Sequence, residues 1–520
     1  MNGHGVIFVY NIIKLSVSSL SKYNLDMEFY LRLLTMVAAI FFAVVLTFLL
    51  KIWKGKRGNK GKNNKPPQAK GQWPVIGHLH LLGGSAPPYK VFGDMADKYG
   101  PILTINLGVH QALVVSYGEI AKECLTRNDK VFAGRPKSMA AELMAYNYAM
   151  FGVAAYGDYW RQVRKIVMLE ILSQSRVEML GHVRASELRA SMKDLYEAWV
   201  TNKESESLDM VKVDMQQWFG NLILNLIRFS LMDEEGVRFQ NVTKKLFGLL
   251  GVFVVSDFLP YLKRFNFGGY EKEMRKTAKE MDDIFEGWLD EHKREKESVQ
   301  HEEGNQVFID NILTAALDTT SVTLTWALSL LLNNLRELKI AQDEIDEHVG
   351  RKRLVEESDM KNLVYLDAII KETLRLYPAG PLWFPHESME DFIVGGYNIP
   401  KGTRLVLNLW KMHHNPNIWP DPYEFQPQRF LTTHKDIDVK GKHFELLPFG
   451  GGRRMCPGYH FALQALRLTL ATLIQQFVIS KPSNGPIDMS ECFGLTISKA
   501  TPLEVLLAPR LSLDMFPVGA

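Results

Sequence analysis

Residues 448–477 read PFGGGRRMCPGYHFALQALRLTLATLIQQF. Three consecutive glycines, Gly450, Gly451 and Gly452, precede a single cysteine, Cys456, and an apolar helical pattern follows it. Glycine has no Cβ, so such a turn folds tightly and its backbone can approach a flat partner that side chains would obstruct. Cys456 stands near the start of the predicted helix, where backbone N–H groups and the helix dipole stabilise a thiolate. Alone, the stretch has two readings: a thiolate serving as metal ligand or nucleophile, or an inert cysteine buried beside a glycine turn.

The chain around this stretch has 520 residues but only three cysteines, Cys124, Cys456 and Cys492. They are far apart and form no Cys-x-x-Cys pair or Cys/His cluster of zinc spacing, which argues against a disulfide framework and places the bulk of the chain in a reducing compartment. With 46% hydrophobic and 23% charged residues the composition is that of a globular protein with a large core. A net charge of +3 points to no polyanionic partner and so to no nucleic acid. The adjacent histidines His413 and His414 precede Asn415-Pro416 in a predicted turn and read as structural rather than as a metal site.

Helical periodicity dominates from about Trp73 onward. In EKEMRKTAKEMDDIFEGWLDEHKREKE (271–297), Met274, Ala278, Met281, Ile284 and Trp288 recur at spacings of three or four, as one face of an amphipathic helix requires. Strand signals are fewer: PILTINLG (101–108), ALVVS (112–116) and the pair within DFIVGGYNIPKGTRLVLNL (391–409). No repeat and no second linker interrupts this body. The expectation is one domain over 73–520, mainly α with a small β portion.

The amino terminus is different. LLTMVAAIFFAVVLTFLL (33–50) is an uncharged run that, extended through Ile52 and Trp53, nearly crosses a hydrocarbon core of about 30 Å. Lys51, Lys54, Lys56, Arg57, Lys60, Lys62 and Lys65 follow without an acidic residue. That asymmetry predicts a retained single-pass anchor over 33–53, a luminal extension over 1–32 and a cytosolic body. Residues 1–26 carry no interpretable motif, and Met27 is a second possible start. Residues 54–72 form a basic, Pro-containing linker, stiffened by Pro66 and Pro67.

Four motifs, taken together, carry a family resemblance. Phe449, Gly452, Arg454, Cys456 and Gly458 match five fixed positions of the haem-binding signature Phe-x-x-Gly-x-Arg-x-Cys-x-Gly. KETLRLYP (371–378) supplies Glu372 and Arg375, and FQPQRF (425–430) supplies Arg429. YGDYWRQVRK (156–165) places Trp160 and Arg164 four apart. NILTAALDTTSVTLTWALSLLLNN (311–334) reads as a buried helix whose threonines bond back to their own backbone. In this order, from WPVIGHL to the carboxyl terminus, the chain resembles the plant microsomal cytochromes P450 of specialised metabolism.

The resemblance implies the cytochrome P450 fold, a haem b cofactor (iron protoporphyrin IX), and Cys456 as the proximal ligand to iron, a thiolate that favours O–O cleavage. Trp160, Arg164, Arg454 and, in PLWFPHES (381–388), His386 would hold the haem propionates. Glu372, Arg375 and Arg429 would form a buried structural triad. Asp318 and Thr319 would be the acid and alcohol that pass protons to bound dioxygen. Electrons would come from NADPH through a separate cytochrome reductase, since the chain offers no Gly-x-Gly-x-x-Gly turn of its own; Arg453 and Arg454 lie on the expected docking face. The location would be the endoplasmic-reticulum membrane.

The substrate-contacting regions of the family fall on Ser138–Phe151, Pro381–Phe384 and Phe493–Thr496. Tyr146, Phe151, Trp383, Phe384, Phe493 and Leu495 there fit a bulky lipophilic molecule of the alkaloid, terpenoid or flavonoid kind, or ordinary core. The chain departs from the family in three places. Ala316 replaces a customary glycine, the stretch between Val299 and Asn311 reads short by several helical turns, and so does the region 228–239. On that basis two functions stand: a monooxygenase, or a haem-binding relative without turnover because the front of its distal helix is lost.

Overall fold

The computed structural model describes residues 32–40, 42–43, 46–47, 64–206, 209–228, 233–265, 267–295, 306–512 and 515. It divides into two units, 1–63 and 64–520. In the first, residues 32–40, 42–43 and 46–47 are helical with exposed side chains, Leu34, Met36 and Phe42 among them. They belong to the apolar run read as an anchor. The remainder of that run, residues 1–26 and the basic stretch after the run up to residue 63 lie outside the described residues.

The second unit begins earlier than the motifs imply. Pro67 accepts a hydrogen bond from Thr104 N at 2.8 Å, Ala69 N donates to Thr104 O at 3.0 Å, and Ala69 is buried. Residues 64–72, read as linker, are therefore laid along the body, their backbone groups satisfied by the first strand.

The elements run α1 (Pro88–Tyr99), β1 (Ile102–Leu107), β2 (His110–Val115), α2 (Gly118–Leu125), α3 (Met139–Met144), α4 (Asp158–Ile166), α5 (Gln174–Met179), α6 (Gly181–Glu206) and β3 (Val211–Asp214). They continue through α7 (Met215–Arg228), α8 (Asp233–Leu250), α9 (Val255–Phe258), α10 (Tyr270–Glu295), α11 (Gln306–Asn333), α12 (Leu335–His348) and α13 (Val364–Leu376). Then come β4 (His386–Glu387), β5 (Phe392–Val394), β6 (Tyr397–Ile399), β7 (Arg404–Leu407), α14 (Leu409–His413), α15 (Tyr459–Gln476), β8 (Phe477–Ser480), β9 (Glu491–Phe493), β10 (Ile497–Lys499) and β11 (Glu504–Pro509).

Helices form the bulk and four small sheets the remainder. The largest sheet has the order β1-β2-β7-β4, with β2 and β7 parallel in the register Ala112↔Arg404 and the other pairs antiparallel. The predicted strand signals fall on β1, β2, β5, β6 and β7, and the 271–297 periodicity falls on α10, where Met274, Met281, Ile284 and Trp288 are buried.

The core is built around α11. From Thr314 to Asn333 it is long and apolar enough to cross a membrane, yet it is mostly buried within the protein, with Trp326 and Leu324 fully enclosed. Several of its hydroxyls do not oppose burial because they bond one turn back: Thr323 to Thr319 O at 2.8 Å, Thr325 to Ser321 O at 2.8 Å, Ser329 to Thr325 O at 2.7 Å. α11 is a continuous helix of 28 residues, about 42 Å by the helical rise, and begins at Gln306, inside the stretch that reads short. Residues 306–313 build the turns ahead of the threonine-rich core. Within the two stretches that read short, 228–239 and Val299 to Asn311, residues 229–232 and 299–305 lie outside the described residues.

Candidate active site

The cysteine loop is assembled by its own backbone and by one histidine. Gly450 N donates to Leu447 O at 2.9 Å, Met455 N to Gly452 O at 3.1 Å, and Cys456 N to Phe449 O at 2.9 Å. Leu447 N in turn donates to Nε2 of the fully buried His413 at 2.9 Å, so this histidine, read only as a turn residue, props the loop from behind. Gly452 has φ 64°, and a Cβ there would stand 2.5 Å from Asp129 Oδ1 and 2.8 Å from Leu125 O, so both the backbone angle and the space demand glycine. Gly450, at φ 69°, faces the Trp383 indole, 2.6 Å from where a Cβ would be.

Cys456 lies three residues before α15, next to its N-cap Gly458. Burial pushes its thiol up, and the Gly458 N–H and the Arg164 guanidinium pull the other way. Burial wins, so the expected lowering by the helix start does not by itself hold the thiolate; a bound cation is what would.

Around the loop stands a cluster of cations, Arg454 buried and Arg135 and Arg164 half-buried. Arg454, 8% exposed, donates to Ala133 O from Nε (3.0 Å) and Nη2 (2.7 Å) and to Ala154 O from Nη2 (2.7 Å), and its guanidinium lies 4.3 Å from the Trp160 ring centre. Arg164 Nη1 donates to Met455 O at 2.8 Å. Arg135 donates to Gly152, Phe384 and Pro385 carbonyls at 2.7–3.0 Å. None of the three makes an ion pair among the described residues. Burial and the neighbouring Arg164 push Arg454 down to about 10; burial and Arg454 lower Arg135 well below its usual value.

Two donors in this cluster are buried without an acceptor, Trp160 Nε1 and Arg454 Nη1. Native proteins rarely leave such groups unpaired. Cations without a directly bonded carboxylate, Arg164 being offset only through space by Asp129, and donors without acceptors together fit an anionic group. His386 also reaches the cluster, with Nε2 unpartnered and Nδ1 against Phe132 O. A carbonyl only accepts, so Nδ1 carries the proton, and the neutral ring that burial and Arg135 enforce presents Nε2 as an acceptor. His386 therefore donates to a carboxylate only as imidazolium.

Glu372, Arg375 and Arg429 meet as one buried knot. Arg375 Nε and Nη2 bond Glu372 at 2.7 and 2.8 Å, Arg429 Nε bonds it at 3.1 Å, and Gln426 N adds a fourth bond at 3.0 Å. The spare guanidinium N–H groups bond the His413, Pro422 and Pro420 carbonyls. The knot ties α13 to the segment that leads into the cysteine loop.

On α11, Thr319 is half-buried and its hydroxyl donates to Ala315 O at 2.8 Å, whereas Asp318 is buried and bonded elsewhere, to Thr496. The side chains of Asp318 and Thr319 thus point to different partners. Of the aromatic residues mapped to the substrate region, Phe151 stacks on Trp160 at 5.8 Å, Phe493 packs on Tyr89 at 5.8 Å, Phe384 covers Arg135 at 4.8 Å, and Trp383 lies 4.2 Å from the His386 ring. Tyr146 bonds Asp282 at 2.7 Å. Leu495 packs against the main core. These residues serve packing around the cation cluster and the core. Arg453, expected on a basic docking face, is paired with Asp129 at 3.1 Å, and Arg454 is interior. Sequence reasoning misses Arg135; its only local signal is a charged residue in the apolar setting FAGRP (132–136).

Comparison with known proteins bears on all of this. The family model described as Cytochrome P450 matches residues 66–312 and 301–506. Its two stretches overlap at 301–312, within the segment that reads short. The chain is 48% identical to demethylepipodophyllotoxin synthase of Sinopodophyllum hexandrum, over 92% of this chain and 97% of that protein. It is 47% identical to strychnine-10-hydroxylase of Strychnos nux-vomica (91% and 96%) and 45% identical to flavonoid-6-hydroxylase of Mentha piperita (92% and 98%). The first alignment runs over 514 positions while taking in 92% of 520 residues, so roughly three dozen of its positions meet no residue here. A zebra fish cytochrome P450 structure with progesterone superposes with a TM-score of 0.66 at 25% identity, over 82% of this chain and all of that one. A glycine-lined cysteine, a cation cluster around buried Arg454, and matches spanning nearly the whole length lead to one conclusion: the chain belongs to the cytochrome P450 family and is a monooxygenase.

Proposed function

We propose that this protein inserts one oxygen atom from O2 into a lipophilic plant alkaloid, terpenoid or flavonoid, with electrons from NADPH delivered by a separate reductase. The family implies haem, and the observation that carries the reading is the pair of orphaned buried donors, Trp160 Nε1 and Arg454 Nη1, within a cation cluster beside Cys456. These residues fit a flat group that bears carboxylates on one edge and a metal at its centre.

In this reading Cys456 Sγ ligates the iron, and Phe449, Gly452 and Gly458 shape the loop that presents it. Trp160, Arg164 and Arg454 hold the carboxylates, with His386 joining once protonated, and Arg135 completes the set. Bound there, haem supplies activation of dioxygen, one atom passing to substrate and the other leaving as water. Asp318, whose pKa burial raises, is the acid on α11 that supplies protons, and Thr319, half-buried and bonded to Ala315 O, is the alcohol of the relay. Glu372, Arg375 and Arg429 keep the cysteine loop in register with α13. The named activities of the relatives on alkaloid and flavonoid substrates support the substrate class. The apolar run at 33–50 and the basic residues after it support an endoplasmic-reticulum anchor with a cytosolic body.

A second reading, haem binding without turnover, draws on the break in the family match at 301–312 and the unmatched alignment positions. One experiment separates the two. The reduced, carbon-monoxide-bound spectrum of the purified chain is recorded, then product formation with NADPH and reductase over a panel of plant alkaloids and flavonoids. A thiolate-type spectrum with product supports the first reading, and that spectrum without product the second. An unaltered thiolate spectrum in Cys456→Ala overturns the ligand assignment.

A further inference from the structure

Asp318 is 7% exposed, and its carboxylate turns away from Thr319. Oδ2 accepts a hydrogen bond of 2.7 Å from Thr496 Oγ1, and Thr496 is itself 7% exposed. Thr496 sits in the turn between β9 and β10, which α11 and two other segments clamp. Leu495 N donates to Phe247 O of α8 at 3.2 Å, Ile497 N to Ala379 O at 3.0 Å, and Trp326 Nε1 of α11 to Ile497 O at 2.8 Å. The backbone on both sides of Thr496 is pinned at Leu495 and Ile497, so the residue that carries the hydroxyl cannot shift to follow the carboxyl if the carboxyl rotates. Among the described residues, Lys244 of α8 is the other charged group that acts on this carboxyl, and it does so through space.

We propose that Thr496 is a positioning residue whose hydroxyl holds the Asp318 carboxyl and so joins the proton supply of the reaction to the β9–β10 turn. This rests on the reading of Asp318 as the proton source. Leu495 of the same turn and Phe493 at the end of β9 pack on the core and on Tyr89, so a displacement of this hairpin changes the grip on the acid. Burial raises Asp318 above the ordinary carboxylate range and the Thr496 bond opposes that rise, so removing the hydroxyl leaves a carboxyl that is both more protonated and free to rotate.

The test uses the full-length, haem-loaded chain and three variants: Thr496→Val, which keeps the shape and removes the hydroxyl, Thr496→Ser, which keeps the hydroxyl, and Asp318→Asn. Two quantities are read. One is the infrared carboxyl band, identified as the band lost in Asp318→Asn and measured without turnover. The other is the share of oxidised NADPH recovered as product rather than as hydrogen peroxide. In Thr496→Val the band shifts and the product share falls about tenfold, part of the 100-fold or more that a proton relay contributes; Thr496→Ser restores both. An unshifted band in Thr496→Val overturns the proposal, as does a Ser variant no better than Val. If Asp318→Asn leaves the product share unchanged, the proton-source reading fails, while a band shift in Thr496→Val still establishes the contact. Should Thr496→Val not fold, Thr496→Ala, which only removes atoms, takes its place.

Discussion

Trp160 Nε1 is a buried donor with no acceptor in the protein, and leaving such a group unmade costs about 1–3 kcal/mol. Trp160→Phe keeps the ring against Arg454 and Phe151 and removes that donor alone. Haem titration of the variant should show affinity weaker by about tenfold, the equivalent of one net hydrogen bond near 1.4 kcal/mol, with an unchanged fold. Asp318 gives a prediction of opposite sign. Burial raises its folded pKa above the unfolded value, so the folded state binds the extra proton, and stability falls as pH rises from about 4 through the folded pKa. Asp318→Asn should therefore be the more stable protein in denaturant melts at neutral pH, and the advantage should vanish below about pH 4. Cys456 and Arg454 are legible in sequence because their spacing after the glycine turn is itself a pattern, and Trp160 and Arg164 because they stand four apart in a second motif of the same family. Arg135 and Thr496 are not, because each acquires its neighbours only through contacts far along the chain. Trp383 reads in sequence as a wall of the substrate space; Gly450, far along the chain, and His386, three residues on, claim its ring.

The salt-bridge knot shows how elements are joined. Glu372 and Arg375 on α13 bind Arg429 in the segment before the cysteine loop, and all three are buried. Glu372→Gln leaves two guanidinium groups sharing no carboxylate, a cost of about 3–5 kcal/mol. The expected outcome is a large drop in the denaturant midpoint together with loss of bound haem in the purified protein, whereas a change confined to turnover would contradict a scaffolding role. Elements with a strong period, α10 and α15, and the strands flanked by glycine and proline can be placed from sequence. The start of α11 cannot. Residues 306–313 continue the helix without a break, and nothing in their spacing marks where a helix recruits residues after its expected front has been shortened. Residues 64–72 mislead for a related reason: proline and lysine content describes a linker, but Pro67 and Ala69 find partners in Thr104.

At the level of the whole molecule, the two units divide at residues 63 and 64. If the apolar run at 33–50 is the anchor, the full chain should float with microsomal vesicles after an alkaline carbonate wash. The piece 64–520 should be washed off yet keep its thiolate spectrum; retention of the washed piece on vesicles would contradict the anchor assignment. The family and class are readable because the motifs keep their order across the chain, and the stretch between Val299 and Asn311 that reads short is where the two parts of the family match overlap, at 301–312. The active site is also stretched along the chain: Ala133, Ala154 and Trp160 lie on one side of it, and Arg454 and Cys456 close it from the other. A ribosome must thus release all but the last few dozen residues before the pocket can shut. Until then Arg135 and Arg164 wait beside an unfinished cavity, and any nascent chain cut short of Arg454 is a product for the cell's proteases, never a smaller enzyme.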